Sequence, residues 1–400
     1  MADVQPFCAL RPRDDLAGEI IAPPYDVLTL AEAQTLAHNR RNFVRVTRSE
    51  VDLPDGADAH SQAAYAQARQ TLDALQAEGS LVRDADATYY FYGQVMGQHR
   101  QVGVLAACSV AEYDAGLIKK HELTRPDKED DRTHHMEVLD AQVGLVFLTY
   151  GATARLAELT QQVTAAEPAW RVITEDGVEH ALWPAPLALV PALREAFAAL
   201  PCTYIADGHH RSAAASRLHA KRKDDASAYF LAGLFPDDQL QVLAYNRLVH
   251  DLNGHTPESF FAAVSERFEV LPAAAPTPAE RGSVTMFLSG AWHLLRPLPG
   301  LVDQGDPTAR LDVSWLQELL LQPILGVDDP RRSTRISFVG GIRGAKALEQ
   351  GVADGAAVAF HLFPTGLDQL FEVADAGEVM PPKSTWFEPK LREGVVIRPL

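Results

Sequence analysis

Cysteine is scarce in this chain of 400 residues: only Cys8, Cys108 and Cys202 occur, and no two of them stand in a CxxC spacing. That excludes a disulfide framework and a thiolate zinc site, and a reducing compartment is expected. No stretch approaches the roughly 18 uninterrupted apolar residues that a membrane span requires. The opening MADVQPFCALRPRDDLAGE has no apolar segment and carries acids early, so no secretory signal is predicted and a cytoplasmic location is expected. Positive charge is also short, with 36 Lys and Arg against 53 Asp and Glu and a net charge of -17. A chain whose main task is sequence-independent nucleic-acid binding needs a basic face, so that class is disfavoured. The one local basic run, Lys221 to Lys223, reads as a solvated helix end.

What is present is an ordinary globular composition, 47% hydrophobic and 22% charged. The length exceeds what one core usually holds. The Ala/Pro-rich stretch LPAAAPTPAERG, 271–282, is the expected linker between a core at 1–270 and a C-terminal α/β region at 283–400. Apolar spacing near 3.6 predicts helices over 58–79, 187–200 and about 313–321. Strands are predicted at 89–92, 101–110, 143–150, 171–174, 178–183, 202–206, 228–234, 240–248, 283–288, 292–298 and 358–363. Helices and strands are interspersed without regular βα alternation, so the fold class is α/β in the α+β sense, with a mixed sheet.

Three segments carry residues suited to chemistry, and a fourth is fainter. In YIADGHHRSAAASRL, 204–218, an apolar strand runs into Asp207 and Gly208, then His209, His210 and Arg211 at the start of a helix. A glycine lets an anion approach the backbone, helix N–H groups favour negative charge, and an arginine offers a planar pair of donors. The histidine pair suits proton transfer near neutral pH. The plain alternative is Asp207 as a helix N-cap. In KKHELTRPDKEDDRTHH, 119–135, Pro126 interrupts any helix before it, and Glu122, Asp127, Glu129, Asp130 and Asp131 are candidate carboxylates for Mg²⁺ or for taking a hydroxyl proton. The plain alternative is a solvated charged loop. In MPPKSTWFEPK, 380–390, Lys383, Ser384 and Thr385 offer a cation and two hydroxyls for a substrate. In APPYDV, 22–27, the prolines fix an extended entry, and Tyr25 and Asp26 are candidates to face a site.

In this order the segments, with QVGLVFLTY between the second and third, resemble the DUF1015 family from about Pro6 to the C-terminus. The box Gly208 to Arg211 followed by Ala214 is similar to that of the ParB/sulfiredoxin-like superfamily, which implies a nucleotide-phosphate site for ATP, ADP or CTP with Mg²⁺. His209 stands where sulfiredoxin needs a cysteine, so reductase activity is not implied, and no helix-turn-helix is found. The resemblance implies a phosphotransferase on a small hydroxylated metabolite, in the manner of the free-serine kinases, with free L-serine as one acceptor. Asp207, Gly208, His209, His210 and Arg211 would hold the donor, and Glu122, with His209 and His210, would handle the proton. The ionic motif adds Lys120, His121, Arg125, Lys128, Glu129 and Arg132 as further candidates. Lys383 would pair with a substrate carboxylate or phosphate. Two other classes stay open: a nucleotide-gated binding protein, and a metal-dependent hydrolase built from His121, His134, His135, Asp207, His209 and His210.

Overall fold

The computed structural model describes residues 2–400 and divides into two compact units, 1–240 with 389–400, and 241–388. The first unit is built on a nine-stranded mixed sheet. Eight strands run in the order Ile118–Lys119, Thr203–Asp207, Val146–Tyr150, Tyr229–Pro236, His99–Ser109, Tyr90–Met96, Glu179–Pro184 and Trp170–Ile173, and Val4–Gln5 lies along His99–Ser109. Thr203–Asp207 is antiparallel to Val146–Tyr150 and parallel to Ile118–Lys119, while Tyr229–Pro236 is parallel to Val146–Tyr150. The central strands are buried along their length, as continuous runs such as VFLTY and YFLAGLF require.

Two apolar cores flank this arrangement. One joins Phe91, Val104, Val146, Ile205 and Phe230 of the sheet to Leu159, Phe197, Ala214 and Leu218 of three helices. The small face Ala213 to Ala215 lets the helix His209–Arg222 lie close to the sheet. The other core gathers Phe43, Val46, Leu72, Leu75, Val143 and Ile397 around the helix Gln62–Ala77. That helix buries Tyr65, Ala68, Leu72 and Leu75 on one stripe, and the Ser61 hydroxyl caps its start by accepting the Ala64 N–H.

The ionic run departs from the expected loop. Pro126 opens a helix, Pro126–Leu139, because its fixed φ suits the first helical position and its missing N–H would be unbonded there anyway. Its charges face the basic residues of the neighbouring helix: Arg217 pairs with Glu129 and Asp130, Lys221 with Glu137, and Arg222 with Asp140. Lys221 and Arg222 are therefore partnered across helices rather than simply solvated. Each such exposed pair is worth no more than about 1 kcal/mol, so the packing of Met136 and Leu139 into the two cores holds the helix in place.

The second unit carries a six-stranded sheet in the order Phe268–Pro272, Ala291–Pro297, Val284–Leu288, Val358–Leu362, Tyr245–Val249, Ile336–Gly340, with every neighbouring pair antiparallel. The stretch expected as a linker at 271–282 lies inside this unit, and its first two residues end the strand Phe268–Pro272. Composition marked a surface loop between strands, and the unit changes at 240/241 instead. The run 240–248 is two strands, Gln241–Leu243 and Tyr245–Val249, which join different sheets. The helix expected over 313–321 is α-helical through Leu316 and a π-turn from Gln317 to Leu321. Among the described residues no helix is long and apolar enough to cross a membrane.

Candidate functional site

The corner at Gly208 is set by backbone geometry. Gly208 has φ +97°, and a Cβ there would stand 3.3 Å from Val146 Cα and 3.2 Å from an Arg211 guanidinium nitrogen. Only glycine fits without strain. Gly208, not Asp207, occupies the N-cap position, and no side chain caps the fourteen-residue helix that follows. Its first N–H groups therefore look outward for partners. Asp207 instead ends the strand and is held by Lys390, whose Nζ lies 3.0 Å from Oδ2. Burial works against its negative charge, but Lys390 and Arg211 outweigh it and hold the carboxyl well below the usual range.

Along the helix, successive candidates point apart, since residues two positions apart do not share a face. His209, 3% exposed, faces His121 and Glu122. Its Nε2 accepts the His121 backbone N–H, which leaves the proton on Nδ1, 3.5 Å from Glu122 Oε2. Burial, then the neighbouring His121, keeps this ring neutral far below its ordinary pKa, and burial lowers His121 to about 4. His210 Nε2 accepts the Arg125 N–H, and burial lowers its pKa as well.

Arg211 turns the other way. Its side chain is 15% exposed, donates to the Leu145 carbonyl and lies 3.7 Å from Asp26. Gly144 makes room for it, for a Cβ there would stand 3.2 Å from the Arg211 Cδ. Arg132, 13% exposed, is fixed by Asp131 and lies 4.2 Å above the Tyr25 ring. Burial opposes both cationic forms, but Asp26 and Asp207 around Arg211, and Asp131 beside Arg132, keep the guanidinium groups fully charged. Arg132, Arg211, Tyr25, Gly144 and Glu393 line one small, partly open cavity. Val143, Val146, Phe230 and Leu231 are apolar members of the same lining.

The loop carrying Tyr25 is pinned because Arg48 donates to the carbonyls of Tyr25 and Leu28. Ala22, three residues before Tyr25, exchanges both backbone hydrogen bonds with Glu393. The APPYDV entry and the C-terminal segment thus meet at the cavity.

The structure therefore brings together Tyr25, Asp26, Arg132 and Arg211, and separately Glu122, His121 and His209. Other expected residues are engaged elsewhere. Glu129 accepts from Thr124 and pairs with Arg217, Arg125 pairs with Asp127, Lys120 sits over the Tyr113 ring at 3.6 Å, and Lys128 is a half-buried residue of the first helical turn. Lys383, Ser384 and Thr385 belong to the second unit. Lys383 lies over Tyr245 with its carbonyl bound by Arg247, and the Ser384 hydroxyl donates to the Pro381 carbonyl. The metal-hydrolase set does not assemble. His135 is bound to the Val46 carbonyl and His134 contacts Gln62, and among the described residues no three His, Cys, Asp or Glu side chains gather to hold a metal.

Sequence reasoning missed Lys390 and Glu393. Lys390 lies in MPPKSTWFEPK seven residues after Lys383, and nothing in the local pattern distinguishes the two lysines. Glu393 has no motif around it. Its signal is burial, which only the fold supplies: burial pushes its carboxyl up to about 7, although Arg211, the Thr47 hydroxyl and Arg132 pull the other way.

Comparison with solved structures finds a mutant free serine kinase in complex with AMP, at 13% identity and a TM-score of 0.36, covering 71% of this chain and 87% of that one. A second mutant free serine kinase, in complex with ADP, has 14% identity, the same score and the same coverage. SbnI with a C-terminal truncation, from Staphylococcus aureus, has 13% identity and a TM-score of 0.39, over 72% of this chain and 84% of that one. A likeness at this level carries no functional argument. No curated protein matches the chain. The family described as a protein of unknown function, DUF1015, matches residues 4–314, more than half of the sequence and the span that includes Tyr25, Arg132 and Arg211. The chain belongs to the DUF1015 family.

Proposed function

We propose that the first unit binds a nucleotide through its phosphates and transfers a phosphoryl group to a small hydroxylated metabolite, free L-serine being one candidate. The observation that carries the reading is the pair of largely shielded guanidinium groups, Arg132 and Arg211, lining one cavity. Two fixed cations desolvated on the protein side form a ready partner for a phosphate, because their charges need no reorganisation when the anion arrives. The uncapped start of the helix His209–Arg222 supports the same sign of charge. The donor side fits this chemistry: the absence of side chains at Gly144 and Gly208 lets the Arg211 side chain pack close against the backbone.

The acceptor hydroxyl would lose its proton to Glu122, which stands apart from the Arg132–Arg211 cavity, across the start of the helix His209–Arg222. Its partner His209 presents Nδ1–H toward that carboxylate and orients it, as a general base requires. Mg²⁺ would enter with the nucleotide and spread the charge developing on the transferred group.

The test is calorimetric titration of ATP, ADP and CTP with Mg²⁺ into the wild type, Arg132→Lys and Arg211→Lys. One nucleotide should bind the wild type and bind each variant at least tenfold more weakly, because lysine lacks the planar fork of donors. A turnover screen with hydroxylated acceptors then compares wild type with Glu122→Gln, which should bind nucleotide normally and lose turnover. No nucleotide binding to the wild type overturns the reading. Binding without turnover on any acceptor moves the conclusion to a nucleotide-gated binding protein.

A further inference from the structure

Glu393 is 4% exposed, lines the cavity with Arg132 and Arg211, and has an Oε2 that is buried without a hydrogen-bond partner. The Thr47 hydroxyl beside it favours the ionised carboxyl. Buried polar atoms are almost always satisfied, so the orphaned Glu393 Oε2 at the cavity wall points to a ligand that completes it. Nothing in the packing of Glu393 is loose. Its backbone is paired with Ala22, and its neighbours Lys390 and Arg392 are tied to Asp207 and Asp176.

We propose that Glu393 is the specificity-determining residue of the cavity: as a carboxylic acid it donates its proton in a hydrogen bond to a phosphoryl-type oxyanion held by Arg132 and Arg211, and as a carboxylate it repels that ion. The inference rests on the anion-binding part of the reading above and goes beyond it by naming what controls entry. Every charged group around Glu393 fits. Arg211 and Arg132 favour its ionised form and Asp26 disfavours it. Tyr25 is kept neutral by burial, and so is His135, whose pKa burial lowers to about 3. With the carboxyl raised by burial to about 7, the change of form falls near neutral pH. When the oxyanion enters above that pH, Glu393 takes one proton from solvent. No bond other than that O–H is made or broken.

The experiment uses sulfate, a tetrahedral oxyanion that does not titrate near neutral pH, so any proton exchange belongs to the protein. Calorimetry in two buffers of different ionisation enthalpy, from about pH 6 to about pH 9, measures affinity and proton uptake together. Wild type should take up close to one proton per sulfate at about pH 8, and its affinity should fall by up to roughly tenfold per pH unit above 7. Glu393→Gln, which keeps a donor and removes the charge, should bind sulfate with no proton uptake and a flat pH profile. Glu393→Asp, still titratable, should keep the proton uptake and decides the matter if the glutamine variant does not fold. Sulfate binding with no proton exchange, a pH profile unchanged in Glu393→Gln, or no sulfate binding at any pH overturns the proposal. ADP titrated in parallel separates the two readings. ADP binding in wild type without a Glu393-dependent proton sinks the role of Glu393 and leaves the nucleotide site. Sulfate binding linked to Glu393 with no ADP binding sinks the nucleotide reading and leaves this one.

Discussion

Lys390 and Asp207, 183 residues apart in the chain, meet with Nζ 3.0 Å from Oδ2. The contact fixes the end of the strand that delivers Gly208 and the helix bearing Arg211. Asp207 has a lowered pKa, so its stabilising contribution is present above its unfolded value near 4 and is lost as the pH falls through the folded value. Lys390→Met should destabilise the protein by about 1 kcal/mol at pH 7, a modest figure because Asp207 is a third exposed and water screens the pair. The deficit should persist down to about pH 3, because the folded Asp207 carboxyl stays ionised there. Urea melts of a double-mutant cycle with Asp207→Asn at pH 7 check the pair, and an equal loss from Lys390→Met with and without the carboxylate would show that the lysine acts by packing alone.

Glu393 has the opposite sign. Its folded pKa is raised, so stability is full below about pH 4 and declines as the pH climbs through 7, where an unpaired buried oxygen acquires charge. Glu393→Gln removes that penalty. Relative to wild type the variant should be nearly neutral at pH 5 and more stable at pH 8, by at most about 3 kcal/mol. Chemical denaturation of both proteins at both pH values measures the difference, and a variant whose advantage over wild type is no larger at pH 8 than at pH 5 would contradict it.

Gly208→Ala puts a Cβ against Val146 and Arg211 at φ +97°. The expected cost is about 1–3 kcal/mol, together with weaker anion binding, because relief of the strain shifts the helix start. A thermal melt and a sulfate titration on the same sample check both effects. Full stability with unchanged binding would show that the corner is more compliant than its geometry implies.

The arginines are separable from charge in general. Arg211→Lys keeps the charge and should lower sulfate affinity at least about tenfold, since an ammonium cannot present the planar pair of donors. Arg332→Lys, at a side chain 90% exposed, is the matched control and should leave affinity unchanged. Equal affinities for both variants and wild type would remove Arg211 from the ligand.

Much of the fold was legible in local pattern. Strands such as Val146–Tyr150 and the helix Gln62–Ala77 follow from unbroken apolar runs and a 3.6-residue stripe, which act over distances shorter than the elements themselves. The ionic segment misled because charge density reads as a loop, whereas its acids are met by Arg217, Lys221 and Arg222 from a helix some eighty residues away. The Ala/Pro-rich 271–282 misled for a similar reason: composition reports exposure, and an exposed loop inside a unit has the same composition as a linker between units.

By itself the sequence determined the corner at Tyr204–Leu218, because an apolar run, a glycine and a helix-forming alanine stretch leave the backbone few alternatives there. It also determined that an arginine would follow that glycine at the helix start. Only the tertiary structure decided that Arg211 faces Arg132, Tyr25 and Glu393 while His209 faces Glu122, and that Lys390 belongs with Asp207. Those outcomes depend on burial, which strips water from several charges at once. Desolvation is a property of everything packed around a group, and no short stretch of sequence contains it.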